Sequence, residues 1–512
     1  MLSHGCAAVI ITVCLNLFFS AIPFRLDITD EKIYSVSNAA KEQTAGLSDN
    51  LIIEFFRSDN LPSQINTEAG HEENFLKEYS RTSKRIKVEK IIVKDESSRH
   101  RAIRTGIAAV RFDVIEKEKF QQSEGFLGFA LKYMDRKEVI PFLPQSSFLE
   151  YELVSAVKKL TQKTKRKLYL ISDYGFIPEF IPESTRRAIE NIYELHSARA
   201  IDLLKADENS CLLIIGPQKP IPEKDLAIIE SYILSGHTAF LALDVKIADI
   251  RNMTARDNYT GLERFLEING IKLRNYLVLD ESSQNIQLSS RQGSYMVSNT
   301  VKYYPLLRIS AFDRSNPVTR NMSSFTMPFS SPVEISSSTR LSVLPLAYSS
   351  PLSWIKTSQK YHSINPLSDA MEISKEDEKG PFVLAALIKG KFIADYNFLS
   401  SQGIKKNPQD SLDSSVILFS GSKFIYSRTE TDFENAAVFL NSLDLLNSES
   451  LFMQLRTKGS VYRPLIEIPS AKKMALKYFS FLLPLFMVLA AAVYSWVRRA
   501  RKAQAAARRF SK

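Results

Sequence analysis

Residues 211–243 read CLLIIGPQKPIPEKDLAIIESYILSGHTAFLAL. The first five residues are continuously apolar, as in a strand covered on both faces. Gly216 and Pro217 end it. Leu226, Ile229 and Ile233 recur at spacings of three and four, which marks a helix, and Gly236 closes that helix. TAFLAL then gives a second apolar strand that runs into Asp244. Strand, helix and strand of this kind form a parallel unit, because parallel neighbours need a long crossover connection.

The same rhythm extends to both sides. Upstream, Leu149, Leu153, Val157 and Leu160 mark a helix, KLYLIS at 167–172 a strand, and Pro182 opens a helix carrying Ile189, Ile192 and Tyr193. Downstream, Leu262, Phe265 and Leu266 give a helix stopped at Asn269 and Gly270, and YLVL at 276–279 a strand ending at Asp280. The expected class is therefore α/β, with a parallel sheet covered on both faces over 149–300. A smaller α/β unit precedes it at 25–148: a helix from Ser37 to Thr44, strands at 51–56 and 86–93, a helix at 72–83 and further strands within 107–140. The serine-rich region 301–470 is expected to continue the fold with loops and mixed strands, including 382–389 and 415–419, and a helix over 433–446.

Two runs belong in a membrane. Residues 478–497, YFSFLLPLFMVLAAAVYSWV, hold no charge over 20 residues, enough to span a bilayer core at 1.5 Å per residue. The expected transmembrane segment is 476–497, and a basic tail follows at 498–512. That tail carries seven of the chain's cations, so the net charge of +11 leaves only +4 on residues 1–497. A nucleic-acid partner is not expected from charge so placed. The positive-inside rule puts the tail in the cytoplasm. Residues 6–22 form a shorter apolar run within an N-terminal segment 1–24. An uncleaved anchor is favoured over a signal peptide, since the stretch before it is nearly uncharged and no A-x-A site follows. The expectation is a two-pass protein of the cell (inner) membrane, both termini cytoplasmic, with residues 25–475 outside. The lysines and arginines from Arg81 to Arg104 then read as a solvated face beside anionic membrane lipid.

No H-e-x-x-H, P-loop, G-x-S-x-G or C-x-x-C pattern occurs, and the six histidines are scattered. No catalytic residue, metal site or cofactor is expected. Gly421, Ser422 and Lys423 lack the glycine loop that would cradle a phosphate. Cys211 stands alone outside the membrane segments, as a buried strand thiol. The candidate binding residues are Asp173, Tyr174, Asp244 and Asp280, because ligands of open α/β sheets sit beyond the carboxyl ends of strands. Each aspartate has a second reading as a local cap. An envelope hydrolase or transferase using these carboxylates is the alternative to a non-enzymatic role.

Order along the chain adds a resemblance. Arg25 to Thr29 with Lys32, Tyr34, Ser35 and Ser37, then YELVSAVKKLT at 151–161, Gly216 and Pro217 before IPEKDLAIIESYILSG, Val278-Leu279-Asp280, NPVT at 316–319, PFSSP at 328–332, and Asn435, Asn441 and Ser442 follow one another. Arg456-Thr457-Lys458 and Arg463-Pro464-Leu465 come before the terminal apolar run. This succession resembles the GldG-like family, auxiliary substrate-binding subunits of ABC-type transport systems named from gliding motility. The resemblance implies a permease and a cytoplasmic ATPase as partners. It also implies a flavodoxin-related, glutamine-amidotransferase-like middle domain. The nucleophilic cysteine of active amidotransferases is missing: the strand at 167–172 runs into Asp173, Tyr174 and Gly175.

Overall fold

The computed structural model describes residues 35–447 except 117–118, 144, 163, 177, 293–294, 314–315, 320–321, 323, 358–361, 369–370, 405–410 and 427–431. Beyond 447 it describes 474, 477–479, 482, 493–498 and 500–501. The expected anchor at 6–22 and most of the run at 478–497 lie outside the described residues. Among those described, no helix is long and apolar enough to cross a membrane.

Five strands run parallel: Lys167–Ile171, Glu194–Ala198, Cys211–Ile215, Thr238–Ala242 and Asp413–Phe419. Across the sheet the first lies between the second and the third, and the fourth and fifth follow outward. Numbered by chain order this is 2-1-3-4-5, the flavodoxin-like order, in which the winding direction reverses between strands 1 and 3. The sheet continues antiparallel through Val383–Lys391, and from there to Val333–Ile335 and Ile271–Leu273 on one path and Ser342–Tyr348 on another. The sheet is thus mixed rather than purely parallel, and it takes strands from both sides of residue 300.

Period-two alternation explains why CLLII is apolar throughout. Cys211, Leu213 and Ile215 face a core shared with the helices Leu149–Thr161, Glu183–Ile192 and Asp432–Leu446. Leu212 and Ile214 face the opposite core, built with Glu223–Leu234, Leu262–Ile268 and Tyr396–Ser401. Each fully buried Leu or Ile contributes roughly 1.5–3 kcal/mol, so a polar residue at any of these positions would remove a large share of a domain's marginal stability. The Asp432–Leu446 helix buries Ala437, Leu440 and Leu443 as its spacing predicts, while Phe433 stays exposed.

The N-terminal unit is a five-stranded sheet. Leu51–Ser58 pairs parallel with Ile86–Val93 and antiparallel with Lys119–Tyr133, which also pairs with Ala109–Glu116 and Arg136–Ile140. Leu51, Ile53 and Phe55 join the core beneath Leu149–Thr161, and Phe56 packs on the other face with Ala102. The first helix, Asn38–Ala45, is capped by Ser37, whose Oγ accepts from the Ala40 N–H at 3.1 Å. Several cations of this unit face acids: Arg101 donates to Glu54 at 2.7 Å and Arg99 to Glu124 at 2.6 Å.

Two expectations are corrected, and one helix is added. The helix read at 72–83 runs Ser63–Ser80, opening after Pro62 with mostly polar turns whose inward positions are only Ile65 and Ala69. Glu96–Thr105 is an unexpected helix; its sequence ESSRHRAIRT buries only Ala102, so a capping box at Asp95 and Ser98 and a left-handed Gly106 define it instead. The strand at 276–279 is not part of a parallel sheet: Val278–Asp280 pairs antiparallel with Ser353–Ile355 in a separate three-stranded sheet.

Glu72, on the Ser63–Ser80 helix, is 0% exposed, and neither carboxyl oxygen has a hydrogen-bond partner. Burial, reinforced by the Glu68 carboxylate and opposed by Arg57, pushes its carboxyl from about 4.5 up to about 9. The folded chain therefore holds a proton that the unfolded chain releases above about 4.5. The associated stability is full below that pH and is lost as pH rises toward 9. Glu72→Gln should gain stability over the native chain as pH rises from about 5 to 8, by up to about 1.4 kcal/mol per pH unit. Urea denaturation at the two pH values measures it.

Candidate functional site at the carboxyl edge of the parallel strands

The parallel strands end at Ile171, Ala198, Ile215, Ala242 and Phe419, and the loops beyond them gather at one edge. Gly216 makes the closest approach. Its φ of +52° is left-handed, and its N–H donates to the Ala242 carbonyl at 2.8 Å. A Cβ there would lie 2.9 Å from Ser422 Cβ and 3.1 Å from the Tyr426 hydroxyl. Only glycine fits without displacing both.

Asp244 lies two residues past its strand and is 3% exposed. Its carboxyl accepts the Ser422 N–H at 2.7 Å and the Ser422 hydroxyl at 2.6 Å. Its carbonyl accepts from Asn258 Nδ2 at 2.7 Å, and the same amide donates to the Pro217 carbonyl at 2.9 Å. Burial pushes the Asp244 carboxyl up, against the pull of Lys423 and the two Ser422 hydrogen bonds. Asp244 thereby fastens the turn after Asp413–Phe419 to the turn after Thr238–Ala242. The PFSSP turn seals it from the side, with the Ser331 N–H donating to the Ser420 carbonyl at 3.1 Å.

Tyr174 occupies the loop after the first strand with φ +62°. Its carbonyl accepts the N–H groups of Gln218 and Lys219 at 2.8 and 3.1 Å, and its hydroxyl donates to Asp225 Oδ2 at 2.8 Å. Burial, then the Asp225 carboxylate, raises the Tyr174 hydroxyl above its ordinary range. Asp173 beside it is exposed. Tyr426 links this loop to Asp244: its ring centre is 6.3 Å from Phe176 and 5.7 Å from Phe180, edge-on to the latter, and Lys423 Nζ lies 5.3 Å above it.

Asp173, Tyr174 and Asp244 therefore share the carboxyl edge of the parallel strands, the first two beside the reversal in winding and Asp244 past the fourth strand. Asp280 does not. It is buried at the end of an antiparallel strand, where it accepts the Ser282 N–H at 2.8 Å, the Ser350 N–H at 2.7 Å and the Ser350 hydroxyl. Phe180, Ser422, Lys423 and Tyr426 were not singled out as binding residues by sequence. The available signal was the Gly421-Ser422-Lys423 turn straight after an apolar strand. It marks this edge, although as a latch and not a phosphate loop, since both donors of Ser422 are taken by Asp244.

The edge carries little reactive chemistry. Cys211 lies at the opposite, amino end of its strand, and burial pushes its thiol up to about 12. Among the described residues no group of three or more His, Cys, Asp or Glu could hold a metal ion. The helices that start at this edge, Glu183–Ile192 and Glu223–Leu234, begin after prolines and carry Glu183, Glu223 and Asp225 in their first turns. Their positive ends are already matched by internal carboxylates.

Fold and edge define a mixed α/β protein, doubly wound in its centre, with a largely apolar and hydrogen-bonded strand edge. A family model described as "ABC-type uncharacterized transport system" matches residues 165–446, more than half of the chain. The protein belongs to that family, as an auxiliary component of an ABC-type transport system. A domain of unknown function, DUF7088, matches residues 30–132, over the N-terminal sheet. An uncharacterized protein of Borreliella burgdorferi is 25% identical over 515 residues, covering 94% of each chain. The solved mmIFT52 N-terminal domain aligns with 59% of this chain and all of its own, at 10% identity and a TM-score of 0.32, too low to argue from.

Asp244→Ala leaves the Ser422 N–H and hydroxyl without their buried acceptor and should cost about 3 kcal/mol. Asp244→Asn keeps an acceptor and should cost about 1 kcal/mol or less. Gly216→Ala should cost at least about 2 kcal/mol through backbone strain and the Ser422 clash. Chemical denaturation of the three variants checks this. Equal losses for Ala and Asn at 244 would contradict the latch.

Proposed function

We propose that the chain is a membrane-tethered accessory subunit, its body outside the cytoplasm, that binds cargo for a partner permease and a cytoplasmic ATPase. The observation that carries this is the family match over 165–446, which coincides with the doubly wound sheet. The finer likeness to GldG-like subunits rests on the ordered motifs, several of which have structural work in the sheet. Asn435 accepts the Thr326 N–H at 2.9 Å, and Asn441 donates to the Val318 carbonyl at 3.2 Å. Both asparagines tie the Asp432–Leu446 helix to segments next to the NPVT and PFSSP motifs.

Tethering rests on sequence. An uncharged 20-residue run precedes seven cations and no acid, and a second apolar run lies at 6–22. Cargo is taken at the edge formed by the Tyr174 and Gly216 loops, where open α/β sheets hold their ligands. The role is non-catalytic: Asp244 and Ser422, the pair nearest to a catalytic couple, are both closed off from solvent.

The tagged chain, extracted from its native membrane in mild detergent, should bring down a multi-span permease and an ATPase. The chain alone should show no ATP turnover. Recovery without those partners, or ATP hydrolysis by the isolated chain, would overturn the assignment. Protease added to intact spheroplasts should remove the body and spare the basic tip; a shielded body would place it on the other side of the membrane.

A further inference from the structure

Four loop amides at the carboxyl edge are committed inside the protein. The Gly216 N–H goes to Ala242, those of Gln218 and Lys219 to Tyr174, and that of Ser422 to Asp244. A phosphate needs such amides free in a cradle or at a helix start, and both helix starts here carry carboxylates. One cation is different. Lys423 is half-buried, and among the described residues it forms no ion pair; its ammonium lies 5.3 Å over the Tyr426 ring. The Asp244 carboxyl acts on it through space but forms no ion pair with it, and both carboxyl oxygens already accept from Ser422. Phe180 is 43% exposed and meets the same tyrosine edge-on, 5.7 Å from it. A large aromatic left in solvent near an ammonium that makes no ion pair among the described residues is a paired feature: one charge and one apolar surface, held on a common ring.

We propose that this edge binds a ligand with a single carboxylate and an apolar flank, the carboxylate on Lys423 Nζ and the flank against Phe180 and Tyr426. The proposal rests on the reading of the edge as a cargo site. A dianion is disfavoured, since Asp173 and Asp225 lie across the loops. A neutral ligand would leave the half-buried Lys423 ammonium without an ion pair.

The full chain is titrated with three matched probes, 3-phenylpropionate, 3-phenylpropanamide and phenyl phosphate, followed by saturation-transfer NMR. The carboxylate should bind most tightly. Lys423→Met should weaken it by about tenfold or more and leave the amide unchanged. Lys423→Arg should restore binding, and Phe180→Ala should weaken carboxylate and amide alike. Unchanged melting temperatures exclude misfolding; Lys423→Arg and Phe180→Ala keep the test decisive if the Met variant unfolds. Equal binding of acid and amide, tighter binding of phenyl phosphate, or indifference to Lys423→Met overturns the carboxylate assignment, while a loss on Phe180→Ala would preserve the cargo site. Absence of binding by all three probes, or binding that ignores Phe180→Ala, overturns both.

Discussion

The structure turns on one parallel pairing. Residues 416–419 of the late strand lie in register beside 239–242, Val416 against Ala239 through Phe419 against Ala242. Asp244 and Ser422, which lock the ends of those two strands together, are 178 residues apart in sequence. Closing so long a loop has an entropic cost that grows only slowly with length. It is offset by burial on both faces, with Ile417 and Phe419 entering one core and Val416 and Leu418 the other. Without this pairing the Lys423–Tyr426 turn would have no fixed place, and the Asp432–Leu446 helix would lose the sheet face it covers.

Buried polar groups then choose one arrangement among the compact alternatives. The Tyr193 hydroxyl donates to Asp444 Oδ1 at 2.6 Å, and Asn435 bonds to Thr326 and to the Phe424 carbonyl. A helix that slid by one turn would strand these groups in the core, at about 1–3 kcal/mol each. The same economy shapes the carboxyl edge, where the Gly216, Gln218, Lys219 and Ser422 amides serve the fold.

Much of the central sheet was legible. Continuous apolar pentads and helices of spacing three and four located four of the five parallel strands and most of the helices around them. Glu194–Ala198 escaped because it is an edge strand, and ELHSA carries the polar residues of a half-exposed position. The Ser283–Gln292 and Tyr295–Ile309 hairpin escaped because its serines interrupt the alternation. At the edge itself, an aspartate after an apolar strand pointed to both Asp244 and Asp280. Local sequence carries no record of which neighbour a strand will choose, and that choice alone separates a residue at the switch-point edge from one that organises a remote serine turn.

The late strand joins the central sheet of this auxiliary component of a transport system to its antiparallel continuation. Hydrogen exchange on the full chain tests that junction most directly. The amides of 239–242 and 416–419 should exchange as one slow unit, at the rate of global unfolding. Fast exchange at 416–419 while 239–242 remains protected would show that the late strand is not part of the sheet, and the account built on it would fall.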